Sequence, residues 1–251
     1  MILISIAGAI LPALLLVRYF IKADRFPEPT KVIQRTFWLG VLTVFPVLLV
    51  AGPVTFLEES LAERSVFAFA LVSAFLGAAI PEEFFKFRVL KKISKDEAFD
   101  EPMDGIVYGA VASLGFATFE NIMYCIDSGL EVVIMRAITA VPMHASCGAL
   151  MGYYFSKAHF KGENVGIFSK AYIIPVLFHG VYNTLLFVIS GISEKSEELI
   201  SDNEYAVVGF CGLGFVILCL AMFIRARGIV KEMRREQDAL AVDQSTENLN
   251  Q

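Results

Sequence analysis

Seven apolar stretches, each about the length that crosses a bilayer, constrain this chain more than any motif in it. They fall at residues 2–22, 36–57, 66–92, 103–126, 132–156, 168–190 and 204–227. A membrane-spanning helix needs about 20 apolar residues to cover the hydrocarbon core. In lipid the backbone has to satisfy its own N–H and C=O groups, which a helix does within one segment. The pattern predicts an all-α, polytopic integral membrane protein with about seven transmembrane helices. Hydrophobic residues make up 56% of the chain and charged residues 19%, unlike an ordinary soluble domain. The opening run, MILISIAGAILPALLLV, has neither a basic segment before its apolar stretch nor a convincing cleavage site, and reads as a retained span rather than a signal peptide.

Lys and Arg bias sets orientation. With the N-terminus outside, the inner side collects Arg18, Lys22, Arg25, Lys31 and Arg35, then Lys86, Arg88, Lys91, Lys92 and Lys95. It also collects Lys157, Lys161 and Lys170, and finally Arg225, Arg227, Lys231, Arg234 and Arg235. These are 18 of the 21 basic residues, and Arg64, Arg136 and Lys195 are left outside. The expectation is N-out, C-in. One transmembrane domain should occupy residues 1–227, followed by a polar cytoplasmic tail over 228–251. The first half of that tail, IVKEMRREQDALAV, reads as a surface helix and its end as disordered. A net charge of −5 offers no surface for nucleic acid, and no such partner is expected. Cys125, Cys147, Cys211 and Cys219 lie in or beside apolar runs, without disulfide or zinc-finger spacing.

Charge at bilayer depth costs from about 2.5 kcal/mol upward, and survives where it faces the bundle interior with partners. Four consecutive spans carry such groups: Glu82, Glu83 and Lys86 in PEEFFKF, Glu120 and Asn121 in GFATFENIMY, His144 in VPMHASCGALMGYY, and His179 and Asn183 in HGVYN. At about 1.5 Å per residue, Glu82, Glu83, His144 and His179 lie on the order of 15–20 Å from one end of their helices, and Glu120 near 25 Å. Each has an ordinary explanation taken alone. Glu82 and Lys86 are i,i+4 and can neutralise each other; His179 and Asn183, also i,i+4, can be interhelical glue; Cys147 can pack as a small apolar residue. Convergence on four neighbouring helices favours one polar site. Pro81, lacking an N–H, is expected to kink the third span beside the paired acids. Gly105-x-x-x-Gly109 and Gly148-x-x-x-Gly152 permit close helix approach.

This set suits hydrolysis. Histidines and a carboxylate can hold zinc with one position open to water, or a desolvated glutamate can act as general base. Asn183 has the donor for an oxyanion. HExxH and Gly-x-Ser-x-Gly are both absent from the sequence.

The order Glu82-Glu83-x-x-Lys86, then DEPMDGIVYGAVASLGFATFENIMY (100–124), then the His144 segment, then HGVYN (179–183), resembles the PrsW family of intramembrane proteases over about residues 30–190. More remotely it is similar to type II CAAX prenyl proteases and bacteriocin-processing membrane proteases. Their pattern joins paired glutamates to a Phe-x-x-x-His and a His-x-x-x-Asn. Here Phe116-x-x-x-Glu120 replaces the first, His179-x-x-x-Asn183 matches the second, and Lys86 stands in for a more distant Arg. The resemblance implies a multi-pass cell-membrane protease with a catalytic core over about 66–190, acting on a membrane-anchored protein such as an anti-sigma factor. It implies Glu82 and Glu83 as the catalytic pair, one of them activating water. His144 and His179 would be metal ligands or transition-state donors, Glu120 a third ligand or an organising carboxylate, and Lys86 the partner of a glutamate. The family is classed among metalloproteases, so Zn2+ is the expected cofactor; a metal-free glutamate mechanism is argued for its relatives. The competing reading is an ion- or proton-coupled transporter using the same Glu, His and Lys residues.

Overall fold

The computed structural model describes residues 2–127, 129–162 and 165–249. Residues 250 and 251 of the tail, and the side chain of Lys161, lie outside what is described. The described residues form helices joined by turns and loops, with no strand among them. Seven stretches are long and apolar enough to cross a membrane: Ile6–Ala23, Thr30–Ala62, Val66–Ile93, Pro102–Ile126, Leu130–Phe160, Ser169–Ser193 and Asp202–Ala241. Each matches one run read from the sequence.

Span one is α1 (Ile2–Ala23). Span two is fragmented into α2 (Thr30–Leu42), α3 (Val44–Ala51), a 3-10 turn (Gly52–Val54) and α4 (Thr55–Ala62). The breaks fall at Thr43 and at Gly52-Pro53, where the proline removes an N–H from the ladder. Span three begins as α5 (Val66–Val72), capped by the Ser65 hydroxyl, which accepts from the Ala68 N–H. It widens into a π-helical segment (Ser73–Ala79) and tightens again as α6 (Ile80–Ile93). The expected disturbance at Pro81 therefore takes the form of a π segment. In an uninterrupted α-helix the missing Pro81 N–H would bond Gly77, and the Ile80 carbonyl here accepts from the Tyr172 hydroxyl at 3.0 Å.

Span four is α7 (Pro102–Asp127). Span five is a short α8 (Leu130–Ile138) and α9 (Ala140–Lys161), broken at Thr139. Gly162 ends α9 with a φ of 61°, the left-handed conformation that glycine adopts without steric cost. Span six is α10 (Val165–Ser193), and span seven is α11 (Asp202–Leu249). The α11 helix continues to Leu249, so the tail expected to end in disorder is helical as far as it is described.

The α7 helix is the axis of the molecule: 78% of an 18-residue apolar stretch of it is buried, against 6% of the corresponding stretch of α11. It pairs with α9 backbone to backbone. A Cβ added at Gly109 would lie 2.3 Å from the Gly148 carbonyl oxygen, and one at Gly152 would lie 1.8 Å from that of Gly105. Glycine is the residue that permits this approach. Around the pair a core of Leu90, Ile93, Ile106, Leu114, Leu150 and Met151 fills the bundle. That packing fixes the helices that carry the polar groups.

Candidate active site

The paired acids open α6. Spacings of i,i+3 and i,i+4 bring Lys86 onto the same helical face as Glu83 and Glu82. Its ammonium donates to Glu83 Oε1 at 2.8 Å and to Glu82 Oε2 at 3.1 Å. The third proton goes to α9, where His144 Nδ1 accepts at 3.0 Å. Nζ also sits 4.2 Å from the centre of the Phe116 ring. Lys86 is fully buried with every proton used, a ligation that makes a buried ammonium tolerable.

These bonds fix histidine chemistry. His144 Nδ1 accepts, so Nε2 carries the proton, and it donates to Glu120 Oε2 on α7 at 2.9 Å. His179, on α10, donates from Nδ1 to Glu83 Oε1 at 2.9 Å and places Nε2 3.9 Å from Glu82 Oε2. The imidazole rings of His144 and His179 meet edge to face with centroids 5.1 Å apart. Glu83, Lys86, His144 and His179 are all at most 2% exposed.

The sequence reading treated Arg136 as an outside charge. The structure turns it inward. The break at Thr139 sets α8 off from α9, and the Arg136 guanidinium pairs with Glu120 Oε2 at 2.7 Å. Its Nε donates to Asn121 Oδ1 at 2.8 Å, and the group lies 3.8 Å over the Tyr124 ring. The signal available in sequence was the single basic residue inside the amphipathic run LEVVIMRAI.

A cavity of about 600 Å³ opens beside this network, and its lining includes Glu82, Glu120, Arg136, Tyr182, Asn183 and Glu58. Of the two adjacent acids, Glu82 faces the cavity. Glu83 lies behind it, fully buried, its Oε1 taken by Lys86 and His179 and its Oε2 without a hydrogen-bond partner among the described residues. The 100° turn between neighbouring helical positions produces this division. Asn183 reaches the same cavity. Cys147 packs in the interior, its thiol against Met143 Sδ and the Pro175 carbonyl. Three carboxylates (Glu82, Glu83, Glu120) face two permanent cations (Lys86, Arg136), which leaves one excess negative charge when both imidazoles are neutral.

Residues 28–222 match the model of the PrsW family of intramembrane metalloproteases. The chain belongs to the PrsW family. It is 40% identical over 184 residues to the protease PrsW of Geobacillus kaustophilus, covering 72% of this chain and 79% of that protein. It is 37% identical over 193 residues to that of Oceanobacillus iheyensis (75% and 84%) and 36% identical over 189 residues to that of Bacillus subtilis (74% and 84%). No solved structure matches the chain. The chain is thus a multi-pass protease of the cell membrane, surrounded by lipid, and the transporter reading is not favoured.

The PrsW family description includes a metal, and the residues fit one. Glu82, Glu83, His144 and His179 each offer one ligand atom, all within 4.8 Å of one another, and two carboxylates with two imidazoles form a donor set typical of zinc-class ions. Glu120, expected as a third ligand or an organising carboxylate, stands outside this group of four, with its Oε2 bonded to His144 and Arg136. Its carboxylate fixes the orientation of the His144 ring through Nε2.

Proposed function

We propose that the chain hydrolyses a peptide bond of a membrane-anchored protein inside the bilayer, with Glu82 as the general base and Glu83 as the residue that positions the others. The observation that carries this division is that Glu82 faces the cavity while Glu83 is sealed behind it. A scissile carbonyl in the cavity meets a water held by Glu82. The carboxylate takes one proton as the water oxygen bonds to the carbonyl carbon. Asn183 donates to the oxygen on which negative charge develops. The C–N bond then breaks, and Glu82 returns the proton to the departing amine. Lys86 donates to both glutamates and orients Glu82, and Glu83 fixes His179 and Lys86.

Zinc is the proposed metal, with Glu82, Glu83, His144 and His179 as the residues that would hold it in competition with the Lys86 ammonium. Such an ion supplies Lewis acidity and a bound water of lowered pKa. The resemblance and the family match support first-site cleavage of an anti-sigma factor as the cellular task. The basic-residue bias supports N-out, C-in and residues 228–251 as a cytoplasmic tail, and the positions of Glu82, Glu83, Glu120, His144, His179 and Asn183 support a catalytic core over 66–190.

The deciding experiment is cleavage of a single-span substrate by detergent-purified protein. Glu82→Gln is expected to lower the rate about 10²- to 10⁴-fold while the protein still folds, since the amide oxygen it introduces can accept from Lys86 and Glu83 keeps its pair with that ammonium. Cleavage at the wild-type rate by this variant defeats the assignment. Zinc content measured in parallel should fall in His144→Ala and His179→Ala; zinc near one per chain in both variants would remove these histidines from the metal set.

A further inference from the structure

About 16 residues before Glu120 on α7, a second group of acids gathers where four segments meet: the loop after α1, the loop before α7, the first turn of α7 and the C-terminal half of α11. One carboxylate oxygen from each of Asp24, Glu101 and Asp104 lies within 4.8 Å of the other two. Asp24 and Asp104 are 5% and 0% exposed. Glu28 joins them, its Oε2 accepting from the Tyr108 hydroxyl and its carboxyl lying against Asp104.

Half of the oxygen atoms are well served. Asp104 Oδ2 accepts the backbone N–H groups of Asp100 and Glu101, each at 2.8 Å. Asp24 Oδ1 accepts from the Phe26 N–H at 2.9 Å and from Gln237 Nε2 at 2.7 Å, and the same amide reaches Glu101. The opposite oxygens, Asp104 Oδ1 and Asp24 Oδ2, are buried and accept from no N–H or hydroxyl donor among the described residues; the carboxyls of Glu28 and Glu101 are the neighbours of these two acids. The nearby guanidinium groups are engaged elsewhere. Arg25 pairs with Asp238; Arg234 donates to the Ala23 carbonyl at 3.0 Å and lies 3.6 Å from Asp238. Two buried acceptor oxygens among like charges demand a positive partner.

We infer that Asp24, Glu101 and Asp104 form a binding site for a hard divalent cation, Mg2+ or Ca2+, separate from the Glu82 cluster. The donor set is all oxygen and lacks imidazole and thiolate, which selects the hard cations over zinc. The bound ion cross-links the loop after α1, the loop before α7 and the start of α7. It anchors the end of the helix whose other half carries Glu120.

The test is Tb3+ luminescence on chelator-stripped full-length protein in detergent, with Tyr108 as the sensitising ring. Saturable emission displaced by Ca2+ or Mg2+ is expected. It should persist in a Glu82→Gln, Glu83→Gln double variant. Affinity should fall at least about tenfold in Glu101→Gln as a ligand charge is lost. Glu101 is half-buried, so this variant has little reason to misfold. Asp104→Asn serves as the second variant. Absence of saturable emission overturns the site, as does emission lost with Glu82 and Glu83 but kept in Glu101→Gln and Asp104→Asn. Thermal unfolding adds an independent arm: Ca2+ should raise the wild-type midpoint. If Asp24→Asn raises it equally without cation, the cluster holds a shared proton instead and the inference fails.

Discussion

Lys86 shows what a charged side chain in a bilayer needs. It is held at 3.1, 2.8 and 3.0 Å by Glu82, Glu83 and His144, so its cost is met by two charges and a lone pair. Removing one member of a buried pair typically costs about 3–5 kcal/mol. Lys86→Met, which leaves Glu82 and Glu83 facing each other unpaired, should lower the unfolding midpoint in detergent markedly and abolish cleavage. Arg136→Ala should act through Glu120: His144 loses its support, activity falls, and the drop should be smaller in Arg136→Lys, which keeps the charge but not the planar contact with Tyr124. A rate equal to wild type in Arg136→Ala would detach α8 from the site. At this scale the sequence was legible because polar groups in lipid are costly enough to declare themselves, which is how Glu82, Glu83, Lys86, Glu120, His144 and His179 could be read. Which of two adjacent glutamates faces the cavity was not legible. A 100° step gives different faces but not their direction, and that direction is set by the rotation of α6 against α9 and α10. Simple rise puts Glu120 deeper than the other four, and the structure joins it to them through His144 Nε2.

Between α7 and α9, four glycines replace side-chain packing with backbone contact. Gly152→Val should be among the most damaging single changes in the chain, because its Cβ would fall 1.8 Å from the Gly105 oxygen and 2.3 Å from its carbonyl carbon. Gly209→Ala on α11, where nothing lies within 4 Å, should leave the midpoint and the rate unchanged. The comparison of the two unfolding midpoints checks the claim. Loss of cleavage in Gly152→Val without loss of fold would contradict it. The glycine spacing was readable; the partner helix was an expectation that the structure fills in. The fragmentation of span two was not read from its hydropathy, which is continuous, although Gly52-Pro53 marked one of the breaks. The conversion of the turn before Pro81 into a π segment is a backbone response that hydropathy does not encode.

For the molecule as a whole, the number and placement of spans followed directly from seven apolar runs, because lipid leaves a helix as the available solution for each. Orientation is the remaining global quantity. A reporter active only in the cytoplasm, fused after residue 251, should be active, and the same reporter in the loop between α10 and α11 should be silent; the opposite pattern would invert the protein. The long α11 adds a further dimension. Its 48 residues extend about 72 Å, more than twice the hydrocarbon thickness, and Gln237 on it is bonded to Asp24 and Glu101 beside the first turn of α7.

The backbone contact between α7 and α9 has a consequence for how a substrate gets in. Two helices in contact glycine to glycine cannot part without losing that contact, so the side of the cavity that carries Phe116 and Glu120 on α7 is backed by α9 and should behave as a fixed wall. The rest of its lining draws on α3, the 3-10 turn, α4 and the π segment, short pieces interrupted at Thr43 and Gly52-Pro53. Substitutions in these short pieces should retune which substrates are cut while the chemistry stays as it is, which cleavage of a panel of single-span substrates would check.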